Sequence, residues 1–149
     1  CTASFMVGDV TNFDLQLSDS ECFDVVLCQL VISVVGGVDQ RRALLACARK
    51  HLKEGGLLLI SSSGASDHIN EKYRDLYQRD LQITQEPRTY LSRGKDGEVL
   101  YSTHHFTVDE LEGLIMEANF TNVYTIEESE TSSRRPDEPA VFFYSTAVA

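Results

Sequence analysis

The polypeptide has 149 residues, of which 42% are hydrophobic and 24% are charged, a composition that is ordinary for one globular domain. Its formal net charge of −10 argues against a nucleic-acid partner, because binding to a phosphate backbone requires clustered cations. No segment approaches the roughly 20 consecutive apolar residues of a membrane-spanning helix, so we expect no membrane partner either.

The chain contains four cysteines, Cys1, Cys22, Cys28 and Cys47, and no two of them form a C-x-x-C pair. Two of them lie in apolar patterns, where cysteine behaves as a small hydrophobic residue. We therefore expect no metal site and no disulfide framework, and the reducing environment that this implies predicts a cytoplasmic localisation.

The first part of the chain predicts two strands. Ser4 to Val7 is typical of a short strand that ends at Gly8 and Asp9. The segment FDVVLCQLVISVVGG, residues 23–37, opens with an apolar run that does not alternate with polar residues. Such a run indicates a strand of a parallel sheet with helices over both faces, and Gln29 stands where this strand should end.

A helix and another apolar strand follow. Leu44, Leu45, Ala48 and Leu52 recur at helical spacing, Asp39 is the expected N-cap, and Gly55–Gly56 is the expected end of the helix. Residues 57–60 are again apolar throughout. Strand, helix and strand in close succession predict a right-handed βαβ unit.

The pattern loosens between residues 65 and 105. Tyr73, Leu76 and Tyr77 are spaced to share one face of a helix. Residues 90–93 and 98–101 flank a Gly-Lys-Asp-Gly turn, which predicts a β-hairpin.

The last third of the chain begins with a capping box. Thr107 and Glu110 have the spacing of an N-cap and its partner, and Phe106 can pack on Leu111 as a hydrophobic staple. Asn119 suits the left-handed exit of this helix. Residues 120–126 and 140–144 then predict two final strands.

This order of elements resembles the class I S-adenosylmethionine-dependent methyltransferases. Four pieces of sequence carry the resemblance: VGDV at 7–10, FDVVLCQ at 23–29, HLKEGGLLLI at 51–60 and HFTVDEL at 105–111. The resemblance implies an α/β, Rossmann-like, mostly parallel sheet with helices on both faces and a terminal antiparallel strand pair. It also implies one domain over residues 1–149, incomplete at its N-terminus, with 65–105 as an acceptor-site insert or lid.

The resemblance further implies a site for S-adenosylmethionine. Asp9 matches the acidic residue that accepts a hydrogen bond from the adenine amino group, and Val10 would pack on the ring. Cys28, Gln29 and Leu30 would form the floor under the methionine part, mainly through backbone groups. From the residues alone, Asp9 can also be an ordinary turn residue, and Gln29 can simply cap a strand end.

The implied reaction is methyl transfer to a small-molecule acceptor. If the acceptor must lose a proton, His104 and His105 are the candidate bases, since they precede the helix beside which the family often builds its acceptor pocket. Tyr73, Tyr77 and Tyr101, with Tyr90, would form the substrate-binding lid. The alternatives are that the histidines are structural and that the tyrosines pack the insert.

Parts of the family pattern have no match in the chain. The first strand, the glycine-rich cofactor loop and the acidic residue that holds the ribose would precede Val7. We therefore expect an enzyme that acts as part of a longer or assembled methyltransferase, either as a homodimer or paired with missing N-terminal sequence. Two alternatives are a non-catalytic methyltransferase-like binding or scaffolding subunit, and an unrelated α/β nucleotide-binding domain. A nicotinamide dehydrogenase is disfavoured because no G-x-G-x-x-G motif occurs.

Overall fold

A computed structural model describes residues 3–18, 21–132 and 135–149 of the chain. The elements in chain order are β1 (Phe23–Gln29), α1 (Val38–Lys50), β2 (Leu52–Gly64), α2 (Glu71–Thr84), β3 (Thr89–Arg93), β4 (Val99–His104), α3 (Val108–Glu117), β5 (Thr121–Ser132) and β6 (Arg135–Val148). Within these ranges no helix is both long and apolar enough to cross a membrane.

Four strands form one mixed sheet in the order β1–β2–β6–β5, and β3 pairs with β4 in a separate two-stranded sheet. β1 and β2 are parallel, with Cys28 opposite Ile60, whereas β6 is antiparallel to both of its neighbours. Three of the four strands therefore run in one direction, and only β6 opposes them. The predicted α/β class with a terminal antiparallel pair is confirmed.

One face of the four-stranded sheet forms the core of the molecule. Leu58 and Ile60 of β2 point to this face, together with Phe143 and Ala147 of β6. Helices α1 and α3 cover it with their apolar stripes, Leu44, Leu45, Ala48, Leu111, Leu114 and Ile115. Burial of these side chains is the main stabilising contribution in the fold.

The opposite face of the sheet is largely uncovered within the described residues. Val25 and Leu27 of β1 are 46% and 69% exposed, and Leu57 of β2 is 42% exposed. Tyr124 and Ile126 of β5 continue this apolar surface. The prediction that helices cover both faces of β1 is therefore wrong for this chain, although the absence of alternation did identify a strand with two apolar faces.

Helix α2 and the β3–β4 hairpin form a second packing unit beyond one end of the sheet. Tyr73 and Tyr77 of α2 pack against Tyr90 of β3, and Ala140 and Phe142 of β6 complete this small cluster. The unit confirms the predicted shared face of Tyr73 and Tyr77 and the predicted hairpin. It occupies most of the segment 65–105.

Three local predictions are wrong. Residues 4–7 form no strand, and Phe5 and Val7 are fully exposed, because the part of the chain that the structure describes offers no neighbouring strand to pair with them. Gly37 is the N-cap of α1, which places Asp39 inside the first turn. Gly55 and Gly56 lie within β2 at a register shift against β1, where Gly55 adopts a φ of 75°.

Only one of the two hydrogen bonds of the predicted capping box of α3 is formed. The Thr107 hydroxyl accepts a hydrogen bond from the Glu110 backbone N–H at 3.2 Å, as predicted. The Glu110 carboxylate does not return to the N-cap but contacts His104 and Arg88 instead. Phe106 and Leu111 are both fully buried in the main core, in agreement with the expected staple.

Replacing Thr107 with alanine should lower the free energy of unfolding by about 1 kcal/mol, because one backbone donor of α3 loses its partner. Thr107→Ser keeps the hydroxyl and should retain most of that stability. Denaturant unfolding of the two variants measures the difference. Equal stability of the alanine variant and the wild type would show that the hydroxyl does not stabilise the helix.

Candidate functional site

A cavity of about 630 Å³ lies between the sheet and the α2–hairpin unit. Its floor includes Gln29 at the end of β1 and Ser63 near the end of β2. Because β1 and β2 are parallel, these residues mark the carboxyl edge of the parallel part of the sheet. Ligands of open α/β sheets bind outside that edge. We call this space the edge cavity.

Aromatic and polar side chains line the edge cavity. Tyrosines come from α2, β3, β4 and β6, namely Tyr73, Tyr90, Tyr101 and Tyr144. Phe142 of β6 adds a fifth ring, and His105 lies in the wall immediately after β4. A wall of this kind suits a small organic ligand that carries a few polar groups.

The backbone at the end of β1 is strained. Leu30, which follows the last residue of the strand, adopts a φ of 58° although it is not glycine. Its N–H donates to the backbone oxygen and to the hydroxyl of Ser61, at 3.0 and 3.1 Å. A leucine in this conformation is unfavourable, and such strain tends to occur at functional sites. Gln29 and Leu30 both line the edge cavity, as expected of residues in one site.

A second, smaller cavity of about 230 Å³ lies on the other side of β1. It is lined mainly by apolar side chains, including Val10, Phe13, Leu27 and Cys28. Burial raises the pKa of the Cys28 thiol, which keeps this group neutral. The five predicted cofactor-binding residues are therefore not brought into one cavity: Val10 and Cys28 meet here, and Gln29 and Leu30 meet in the edge cavity.

Asp9 is exposed and forms a local turn. Its carboxylate accepts hydrogen bonds from the backbone N–H and the hydroxyl of Thr11, at 2.9 and 2.7 Å. These two bonds lower the pKa of Asp9 from its ordinary value. The geometry agrees with the turn interpretation of this residue. The contact between Asp9 and the adenine amino group stays a prediction.

His105 is surrounded by tyrosine rings. The centroids of Tyr73, Tyr77 and Tyr90 lie 4.9, 5.7 and 5.4 Å from that of the imidazole. The Tyr77 hydroxyl is 2.7 Å from Nδ1 of His105, and burial raises the pKa of Tyr77, so the phenol stays protonated. Tyr77 thus orients the imidazole from behind, while Tyr73 and Tyr90 share the cavity wall with it.

His104 points away from the edge cavity, in contrast to its neighbour. Its side chain is 1% exposed, with Nδ1 2.7 Å from the hydroxyl of Thr89 and Nε2 2.9 Å from Glu110. Burial alone would raise the pKa of Glu110, but the bonds from His104 and Arg88 outweigh it and lower that pKa to about 2. His104 therefore connects β4 to β3 and α3.

Two buried ion pairs were missed by sequence reasoning. Asp80 of α2 is completely buried and accepts hydrogen bonds from Arg79, Arg93 and the backbone N–H of Leu91. Arg41 of α1 is 1% exposed and pairs with Glu86 through two contacts, one of them 3.0 Å between Nη2 and Oε2. Arg93 lies 13 residues from Asp80, and Glu86 lies 45 residues from Arg41, so no local pattern could have indicated these two pairs.

Known proteins share the fold of this chain. Residues 2–60 match the family described as the methyltransferase domain. A SAM-dependent methyltransferase from Methanosarcina mazei is 26% identical, with a TM-score of 0.84 over 98% of this chain and 67% of its own. No curated protein sequence matches the chain.

Two further solved structures extend the comparison. One from Thermotoga maritima, described as a SAM-dependent methyltransferase and possible histamine N-methyltransferase, is 19% identical, with a TM-score of 0.59 over 95% of this chain and 61% of its own. The 1,6-didemethyltoxoflavin-N1-methyltransferase of Burkholderia thailandensis, solved with bound 1,6-didemethyltoxoflavin and S-adenosylhomocysteine, is 20% identical, with a TM-score of 0.53 over 93% of this chain and 47% of its own.

The comparisons confirm the resemblance expected from the sequence. The chain spans 67% of the length of the archaeal relative and 61% of that from Thermotoga maritima. The two matches below 25% identity concern the fold alone. The chain has the fold of the class I S-adenosylmethionine-dependent methyltransferases, and its residues 2–60 match a methyltransferase domain family.

Proposed function

We propose that this chain forms the acceptor-binding part and one side of the cofactor site of an enzyme that transfers a methyl group from S-adenosylmethionine to a small molecule. The observation that carries this proposal is the edge cavity, which lies at the carboxyl edge of the parallel strands in a methyltransferase fold. Segment 65–105 supplies α2 and the hairpin that enclose the cavity, which supports its interpretation as an acceptor-site lid.

The cofactor would lie across the end of β1. The apolar cavity lined by Val10 and Cys28 suits an adenine ring. Asp9 directly precedes Val10 in the sequence. Gln29 and the strained backbone of Leu30 would support the methionine part next to the edge cavity. In this arrangement Gln29 and Leu30 would hold the part of the cofactor that carries the methyl group beside the edge cavity. S-adenosylmethionine supplies that methyl group in activated form.

The chain would contribute orientation and proton transfer to the reaction. Alignment of the acceptor with the methyl carbon can supply roughly 7–11 kcal/mol of a barrier. As the acceptor atom forms its bond to the methyl carbon, the carbon–sulfur bond breaks and its electron pair stays on sulfur. We assign removal of the acceptor proton to His105, because it lies in the wall of the edge cavity, whereas His104 does not line that cavity.

Replacing Asp9 with alanine should weaken S-adenosylhomocysteine binding, because the carboxylate that would accept a hydrogen bond from the adenine amino group is lost. The measurement is calorimetric titration of the longest natural form of the polypeptide. An affinity equal to that of the wild type would remove Asp9 from the cofactor site.

Asp14→Ala is the matched control for this experiment. Asp14 lies in the same connecting segment and also accepts a hydrogen bond from a backbone N–H two residues further on, that of Gln16 at 2.9 Å. It differs from Asp9 in its ion pair with Lys50. Cofactor affinity should be unchanged in this variant. If the wild-type polypeptide binds no S-adenosylhomocysteine at all, a non-catalytic subunit becomes the better interpretation.

A further inference from the structure

One end of the edge cavity carries an acidic group among aromatic rings. Glu130 of β5 lines the cavity beside Tyr144 of β6, whose hydroxyl donates to the Glu130 carboxylate at 2.8 Å. This hydrogen bond, together with the negative charge, raises the pKa of Tyr144 and keeps its hydroxyl protonated. The pair therefore presents a negative charge whose position is fixed by a neighbouring donor.

The other charged group in the described part of the cavity wall is already compensated. Arg93 directs Nη1 and Nη2 at the two carboxylate oxygens of Asp80, at 3.0 and 2.8 Å, and Asp80 is completely buried. An anionic ligand would have to compete with this buried ion pair for Arg93. The carboxylate of Glu130 is paired with a neutral hydroxyl instead. The cavity consequently favours a cation.

Two further features also favour a positively charged ligand. Strand β5 carries Glu127, Glu128 and Glu130 and no lysine or arginine, and the whole chain has a net charge of −10. Such a field attracts cations and raises their local concentration. The more exposed rings of Tyr101 and Tyr144 in the same cavity wall can contact an organic cation, which aromatic rings attract through their quadrupoles.

We propose that the methyl acceptor is a small amine that enters the edge cavity as an organic cation, held by Glu130 and the surrounding tyrosine rings. This inference rests on the proposed function and specifies its substrate class. The ammonium group gives one proton to His105, and the nitrogen lone pair then attacks the methyl carbon of the sulfonium. The products are S-adenosylhomocysteine and a methylated ammonium ion, so Glu130 faces a positive charge before and after transfer.

The test compares three probes of similar size that differ in charge: 2-phenylethylamine, 2-phenylethanol and phenylacetate. Each is titrated by calorimetry into the longest natural form of the polypeptide saturated with S-adenosylhomocysteine. We expect the amine to bind about tenfold or more tightly than the alcohol or the carboxylate. Glu130→Gln, which keeps the shape and removes the charge, should abolish this preference by weakening the amine alone.

Glu127→Gln is the matched control, because it removes the same charge from the same strand but does not line the cavity. The amine should bind this variant within about twofold of the wild type, since a distant exposed charge is screened. Equal binding of all three probes, binding of none of them, or equal effects of the two variants would overturn the inference. Titration of the wild-type polypeptide with S-adenosylhomocysteine alone, as in the Asp9 experiment, tests the proposed function separately.

Discussion

Replacing His105 with asparagine should lower kcat by about 10²- to 10⁴-fold, the usual contribution of a positioned general base. The imidazole lies in the wall of the edge cavity and is oriented by the Tyr77 hydroxyl, 2.7 Å from Nδ1. Asparagine can keep a polar partner for that hydroxyl but cannot take up a proton at neutral pH. Turnover is measured with saturating S-adenosylmethionine and an amine acceptor.

Two measurements separate proton transfer from a structural role of His105. Calorimetric affinity for S-adenosylhomocysteine should be unchanged in the asparagine variant, and the pH dependence of kcat should flatten. Tyr77→Phe serves as the comparison, because it removes the hydroxyl that orients the imidazole and leaves the base in place. The Tyr77 substitution should lower kcat less than the His105 substitution does, and kcat should keep its dependence on pH. Full activity of the asparagine variant would exclude His105 as the base.

Replacing Asp80 with asparagine should lower the free energy of unfolding by about 1–3 kcal/mol, the usual cost of losing a hydrogen bond to a charged group, because Arg79 and Arg93 are partly exposed and water can solvate their charges. Asp80 is completely buried and binds Arg79, Arg93 and the backbone N–H of Leu91. The neutral amide would leave two guanidinium groups without their carboxylate. Denaturant unfolding measures the loss.

The charge state of Asp80 determines the pH range of this effect. The bonds from Arg93 and Arg79 hold its pKa far below the ordinary range of an aspartate. A carboxylate whose pKa is lowered in the folded state stabilises the fold above its unfolded pKa, and that stability is lost only as the pH falls through the lowered value. The difference between wild type and variant should therefore be complete at neutral pH and decrease in strong acid.

Asp75→Asn provides the control for Asp80. Asp75 lies on the same helix, α2, and is exposed. Its substitution should change stability by less than about 0.5 kcal/mol, as is usual for surface positions. Equal unfolding free energies for the two variants would show that the buried ion pair does not hold α2 to the hairpin.

The elements that sequence predicted correctly have local causes. The Thr107 cap, the left-handed Asn119 and the shared face of Tyr73 and Tyr77 each depend on residues within about one or two helical turns. The hairpin likewise follows from its glycine-containing turn. Patterns of this range determine local structure whatever the rest of the chain does.

The errors and omissions have long-range causes. A strand at residues 4–7 requires a neighbour to accept its hydrogen bonds, and none is present in the described chain. The apolar run of β1 indicates that both faces can be buried but not which segment buries them. Glu130 belongs to the candidate site because β5 pairs with β6, which brings it next to Tyr144, 14 residues away in sequence, and because six other elements form the rest of the cavity.

The uncovered face of the sheet links folding to association. Val25, Leu27 and Leu57 expose apolar surface in the folded chain, so any partner that covers them binds the folded state in preference to the unfolded one. By mass action, the stability of the fold then increases with the concentration of that partner, whether it is a second copy or another segment. Gln29 and Phe142 point to the same side of the sheet and also line the edge cavity. Binding of a partner to this face of the sheet would therefore also affect the shape of the edge cavity, where the acceptor binds.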